Sequence, residues 1–334
     1  MPYAVSVPSK SPLVIGHRGA PGYRPEHTRS SYELALAMGV DAVEPDVVAT
    51  KDGVLVVRHE NEISGTTDVA DHPEFADRRT TRRVDGAALT GWFTEDFTWE
   101  ELSTLRCRER LPKIRSSSAS FDGAEPILRL RDVLDLVRAA AAAQGREIGV
   151  VLEVKHATHF ASIGLDLAPL IAQELRDARW AAGELPLIVE SFESTVLRQL
   201  RAEGVAASFV YLIEAAGQPY DLLVAEGATA LSYPETVVPE NLDRLVGRVD
   251  GISVDKKMLL VPGTTLVADA HARGLTVFTW TCRPENTFLA APHRGPGGKS
   301  AFGDYEAEWA VIARQGVDGV FVDHPDLGVA VFRA

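Results

Sequence analysis

Apolar, β-branched runs alternate with stretches of helical period along this chain. The runs are LVIGH (13–17), AVEPDVVA (42–49), IGVVLEVK (148–155), LPLIVESF (185–192), SFVYLIE (208–214), VDGISVD (249–255), LTVFTWT (275–281) and VDGVFVD (317–323). Runs of this length, rich in Val and Ile, predict strands. Helical patterns fill the gaps. TRSSYELALAMG opens on a Thr cap, places Tyr32, Ala35, Leu36 and Gly39 on one face, and stops at Gly39. STVLRQLRAEG, LVADAHARG and AEWAVIARQG also end on glycine just before the next run. Eight strands alternating with helices predict an α/β fold, a (β/α)8 TIM barrel. TALSY (229–233) is a candidate ninth, short strand.

Two features interrupt the alternation. VLVVRHE (54–60) follows TKDG closely, so it is expected to pair back on the second strand through a tight Asp-Gly turn. Residues 61–126 are long, polar and weakly periodic, as expected of a functional insertion over the barrel mouth. There is no internal repeat or linker, so residues 12–334 are read as one domain carrying that insertion. Pro45, in EPD, cannot donate to a ladder and predicts a local bulge in the second strand.

Composition narrows the partners. With 34 basic and 47 acidic side chains the 334-residue chain carries a formal charge of −13. That argues against nucleic acid or an anionic membrane as the main partner, because either requires a basic face. Cys107 and Cys282 are far apart, lack a metal-type spacing and are read as core residues. The opening MPYAVSVPSKSPLV has neither a basic n-region nor an apolar h-region, so the expected location is cytoplasmic.

The polar residues at the strand ends carry the chemistry. In a parallel barrel the active site lies at the carboxyl ends of the strands. The first candidate strand ends in His17-Arg18 and the second carries Glu44 and Asp46; the hairpin arm reaches His59-Glu60. The third carries Glu153 and Lys155, the fourth Ser191, the seventh Trp280 and the eighth Asp323-His324. Residues two apart on a strand face the same side, so Glu44 pairs with Asp46 and Glu153 with Lys155 at the mouth. Three converging carboxylates in a low-dielectric site repel unless a cation neutralises them. Oxygen ligands without cysteine suit Mg²⁺ or Ca²⁺ better than Zn²⁺. A cation flanked by two histidines, an Arg and a Lys outlines a phosphate-ester site: the metal polarises a phosphoryl oxygen, the bases absorb negative charge, and the imidazoles share the proton transfers.

The string GHRGA…PEHT…AVEPDVVATKDGVLVVRHE resembles the glycerophosphodiester phosphodiesterase family, and ISGTTDVAD, TGWFTEDFTWEEL, VVLEVK, VFTWTCRPEN and GVDGVFVDHPD resemble its longer, GlpQ-like branch. The resemblance runs from about residue 12 to 327. It implies the same barrel with an insertion after the second strand. It also implies one divalent cation, Ca²⁺ or Mg²⁺, on Glu44, Asp46 and Glu153, with His17 and His59 as the acid/base pair. Arg18 would grip the phosphate, Lys155 would add positive charge, and Trp280 would line the glycerol side. Glu26 is expected either as a partner of His17 or Arg18 or as a helix N-terminal acid. The implied reaction hydrolyses small glycerophosphodiesters such as glycerophosphocholine or glycerophosphoethanolamine to sn-glycerol 3-phosphate and an alcohol. Two departures stand out: His27 occupies an Asn position of the family's PENT element, and Glu60 follows the second histidine where Asp is commoner. A lysophospholipase D acting through the same site and an inactive binding protein on the same barrel are the competing readings.

Other signals are weaker. HRGPGGKS (293–300) ends like a P-loop but has His293 where the first glycine belongs and no strand immediately before it. It reads as a loop near the substrate. His156 and His159 in KHATH lack zinc partners and read as rim histidines, and RRTTRR (78–83) reads as a solvated basic face.

Overall fold

The computed structural model describes residues 11–334; residues 1–10, on which most of the leader reading rests, lie outside them. The strands in chain order are β1 (Leu13–His17), β2 (Ala42–Glu44), β3 (Asp46–Ala49), β4 (Leu55–Val57), β5 (Thr80–Val84), β6 (Ala87–Gly91), β7 (Gly149–Val154), β8 (Leu187–Ser191), β9 (Ser208–Ile213), β10 (Gly251–Asp255), β11 (Thr276–Cys282) and β12 (Gly319–Val322). Hydrogen-bonded neighbours run β2-β1-β12-β11-β10-β9-β8-β7, and β7 pairs back on both β2 and β3. With β2 and β3 as two pieces of one stave, the eight predicted strands are the eight parallel staves of a closed barrel. The hairpin arm β4 lies antiparallel on β3, with Val47 opposite Val57.

Two local expectations are corrected. The second stave is interrupted at Pro45 but not bulged: Val43 pairs with Val150 and Asp46 with Glu153, so the register is the same on both sides. Pro45 lacks only its own N–H; its carbonyl still accepts from the Glu153 N–H at 3.0 Å. Residues 229–233 form no strand. A 3-10 turn (Gly227–Thr229) leads into a helix (Tyr233–Thr236), because Ser232 and Glu235 form a capping box with Pro234 in the first turn.

Helix ends follow the predicted signals. Thr28 caps the helix Arg29–Ala37 by accepting from the Ser31 N–H, and the chain leaves it through Gly39 at φ 86°. The insertion has more order than its weak periodicity suggested. β5 and β6 form a hairpin whose Asp85-Gly86 turn has both φ positive (45° and 81°), which an Asp-Gly pair adopts readily. Within RRTTRR, Arg82 is paired with Glu95 (2.7 Å) and Asp96 (2.9 Å), and Arg78 with Glu101. The two rim histidines tie this insertion to the barrel, His156 Nδ1 meeting Asp85 at 2.6 Å and His159 Nε2 meeting Glu95 at 2.9 Å.

The barrel interior places the site. Ile15, Ala42, Val151, Ile188, Val210, Phe278 and Phe321 form a buried cluster of their own, separate from the larger core around the outside of the staves. Strand alternation puts the residue two positions further along each stave on the same inner face. Those residues are His17, Glu44, Glu153, Glu190, Leu212, Trp280 and Asp323. The inner face is apolar at its floor and mostly ionic at its mouth.

Candidate active site

At the end of β1 the chain turns sharply, with Arg18 at φ 55° and Gly19 at φ 92°. A side chain on Gly19 would lie 2.5 Å from Ser31, so only glycine fits the close approach of the following helix. The turn presents His17 and Arg18 side by side. His17 Nδ1 lies 2.6 Å from Asp323 Oδ1. Asp323 Oδ2 accepts from Arg115 Nη2 at 2.6 Å and from Arg283 Nε at 2.7 Å. Burial opposes the charge of Asp323, but Arg283 and Arg115 hold its carboxyl well below the usual range. Burial and the neighbouring Arg18 lower the His17 pKa to about 4 despite Asp323, leaving a neutral imidazole.

The opposite wall is acidic. Carboxylate oxygens of Glu44, Glu153 and Glu190 all lie within 4.8 Å of one another. Glu44 Oε2 accepts the Arg18 backbone N–H at 2.9 Å, and Glu153 Oε1 accepts Lys155 Nζ at 2.7 Å. Glu44 Oε1, Glu190 Oε2 and Asp46 Oδ1 are buried without a hydrogen-bond partner. Burial, then the neighbouring carboxylates, push Glu44 and Glu190 well above the usual carboxyl range, and burial and Asp46 raise Glu153 to about 8 against the pull of Lys155. Asp46 is held differently. Its Oδ2 lies 2.8 Å from His27 Nε2 and 3.2 Å from Arg18 Nε, and after the cost of burial its cationic neighbours keep it well below the usual range. Asp46 therefore stands outside the closest group of three, and Glu190, which the strand-end reading passed over for Ser191, stands inside it. Ser191 points to the other face of β8, where its hydroxyl donates to the Val154 carbonyl at 2.8 Å. An all-oxygen donor set with several orphaned buried atoms fits a hard divalent cation.

His59 comes from the hairpin arm. Its Nδ1 lies 2.6 Å from Glu60 Oε1 and its Nε2 3.2 Å from Lys155 Nζ. An ammonium can only donate, so this network assigns the ring proton to Nδ1 and leaves Nε2 as acceptor. Burial, Arg18 and Lys155 hold the His59 pKa well below its ordinary value. Glu60 thus fills the role of an orienting acid with one methylene more than Asp. His27, at φ 61°, keeps the left-handed turn that suits Asn and adds the contact to Asp46. Glu26 accepts from Arg18 (3.1 Å) and from Arg110 of the insertion (2.6 Å).

A cavity of about 880 Å³ opens onto His17, Arg18, His59, Glu153, Lys155 and Trp280 together. Trp280 packs edge-on against Phe192 at 5.6 Å. Arg294, from the loop that ends in GKS, reaches the same cavity, and a short 3-10 turn (Ala291–His293) precedes it where a P-loop requires a strand. Arg115, Arg110 and Arg283 were not anticipated as site residues; two belong to the insertion, and no local spacing marks them.

Comparison with known proteins decides the family. The profile of the glycerophosphoryl diester phosphodiesterase family matches residues 17–327. The chain belongs to this family. It is 30% identical over 332 residues to a glycerophosphodiester phosphodiesterase of Arabidopsis thaliana, covering 93% of this chain and 83% of that protein. Two solved structures share the fold: a Silicibacter pomeroyi protein of the same family (TM-score 0.67, 24% identity, 98% and 94% covered) and an Oleispira antarctica phosphodiesterase in complex with sn-glycerol-3-phosphate (TM-score 0.66, 20% identity, 97% and 98% covered). As a family member the chain is a phosphodiesterase, an enzyme on a (β/α)8 barrel. Among the described residues no helix is long and apolar enough to cross a membrane, and both cysteines are free and buried.

Proposed function

We propose that this phosphodiesterase hydrolyses small glycerophosphodiesters, such as glycerophosphocholine and glycerophosphoethanolamine, to sn-glycerol 3-phosphate and an alcohol. His17 and His59 act as the acid/base pair, and one divalent cation, Ca²⁺ or Mg²⁺, sits on Glu44, Asp46 and Glu153. The observation that carries this reading is the meeting of two neutral imidazoles, Arg18 and Lys155 in one cavity against an acidic wall. The product named for the Oleispira antarctica structure supports the same product class. When bound, the cation supplies Lewis-acid polarisation of a phosphoryl oxygen. Arg18 and Lys155 orient the phosphodiester and offset its charge. The bound anion raises both imidazole pKa values, so that one ring enters protonated and the other free. The free ring takes the proton of the glycerol 2-hydroxyl as that oxygen attacks phosphorus. The protonated ring returns a proton to the departing alkoxide as the P–O bond to the headgroup breaks. The ring that gave up its proton then takes one from water as the water oxygen attacks phosphorus. The P–O bond to the 2-oxygen breaks and the other ring returns its proton to that oxygen, which leaves glycerol 3-phosphate and restores both rings. Asp323 and Glu60 keep the two rings in orientation.

A coupled glycerol 3-phosphate assay over several glycerophosphodiesters, with and without chelator, tests this. Chelator-insensitive turnover would remove the cation, and a 2-deoxy analogue turned over at the normal rate would replace internal attack by direct attack of water. One observation favours a second reading, lysophospholipase D: Phe192, Tyr233, Leu260 and Phe288 are among the residues that line the cavity, apolar surface of the kind an acyl chain needs. Turnover of lysophosphatidylcholine in the same assay separates the two.

A further inference from the structure

We infer that Glu190 is an additional carboxylate ligand of the cation site, and that it biases the site toward Ca²⁺ over Mg²⁺. The inference rests on the cation reading above and extends it to a residue outside the family pattern carried over from the motifs. Glu190 lies on β8 directly opposite Glu153 of β7. Ile188, two residues earlier, belongs to the barrel's inner cluster, so strand alternation aims Glu190 up the same inner face. The residue is 2% exposed. Its carboxylate is within 4.8 Å of those of Glu44 and Glu153. Among the described residues no guanidinium, ammonium or N–H bonds to it, and its Oε2 is a buried orphan. Lys155, the nearest base along the wall, is committed to Glu153 at 2.7 Å and His59 at 3.2 Å. A carboxylate nine-tenths buried without a protein partner, aimed at two others, is costly to keep unless a cation joins them.

Ligand number then bears on the metal. Ca²⁺ takes 6–8 oxygens in flexible geometry, whereas Mg²⁺ demands an octahedron and keeps several waters, so a protein uses only one or two carboxylates for it. Adding Glu190 to Glu44, Asp46 and Glu153 makes the site richer in carboxylate than Mg²⁺ needs.

The test uses the full chain stripped with EDTA, titrated calorimetrically with CaCl₂ and with MgCl₂, and melted with and without each. For Glu190→Gln, Ca²⁺ affinity is expected to fall at least ~10-fold and Mg²⁺ affinity less, while the cation-free melting temperature rises because one of three repelling acids is gone. A purely structural Glu190 would instead lower the cation-free melting temperature. Glu190→Asp, which keeps the charge but shortens its reach, should lose part of the Ca²⁺ affinity, and guards against a Gln variant that fails to fold. Ca²⁺ binding by Glu190→Gln within twofold of wild type, with wild-type Ca²⁺ binding intact, overturns the inference alone. A wild-type chain that takes up neither cation overturns both it and the cation reading beneath it.

Discussion

Asp323 and Glu190 close two staves of one barrel, 1% and 2% exposed, and the protein surrounds them in opposite ways. Asp323 has His17, Arg115 and Arg283 within 2.7 Å of its oxygens. Glu190 has two other carboxylates and no protein cation bonded to it. Burial raises the cost of charge for both, yet Asp323 is held ionised and Glu190 is pushed toward the acid form. The difference separates a carboxylate completed by the protein, which holds the His17 ring, from one that the chain leaves without a counter-charge. Position at a barrel mouth does not distinguish these roles; the neighbours do.

The largest effects should fall on the rings themselves. His17→Ala and His59→Ala are each predicted to lower kcat by ~10²–10⁴ with the circular dichroism spectrum unchanged. Near-wild-type steady-state kinetics in either variant would remove that ring from the mechanism. Asp323→Asn tests the completed side of the comparison. It leaves the buried Arg115 and the half-buried Arg283 without their shared counter-charge, and removing one partner of a buried ion-paired set costs ~3–5 kcal/mol. A urea midpoint equal to wild type would mean that Asp323 is no better compensated than Glu190.

On the proposed cation reading, the acidic side responds to pH only when no cation is bound. The Glu153 pKa, raised by burial and then by Asp46 to about 8, means that the folded chain holds a proton the unfolded chain has released. Stability from this group is present below ~4.5 and is lost as pH rises through about 8. The melting temperature of EDTA-treated protein is therefore expected to fall from pH 5 to pH 8. Saturating Ca²⁺ at 100 times its Kd should add ~2.7 kcal/mol and flatten that slope. A slope unaffected by Ca²⁺ would separate the acids from any cation.

The smallest predicted effect concerns the insertion. Burial opposes the charge of His156, but the hydrogen bond to Asp85 and the Glu60 carboxylate 3.4 Å from its Nε2 outweigh it and raise its pKa to about 9. Its contribution is present below ~6.5 and lost as pH rises through about 9. His156→Gln should melt ~2 °C below wild type at pH 6, with the gap closing by pH 10. A gap that persists at pH 10 would show that the contact does not depend on charge.

Much of the fold could be read locally. Continuous apolar runs, Gly-terminated helices, the Thr28 cap and the Asp-Gly turns are signals carried within a few residues, and every stave and the hairpin arm follow from them. Glu190 was legible too, since it stands two residues after Ile188 in a strand whose inner face that spacing defines. Ser191, one step on, drew attention to the wrong face. Arg115 was not legible: it comes from a stretch with no period, and only its arrival beside Asp323, 208 residues further along, gives it a role.

The sequence alone determined the staves, their ends and the chemical types gathered at the mouth, because strand period and capping are short-range physics. Tertiary structure decided which acids are neutralised and which are left in a group. That depends on distances between side chains far apart in the chain, and on burial, which makes each missing counter-charge matter. Closing the barrel put Glu190 against Glu44 and Glu153, and the insertion brought Arg115 to Asp323.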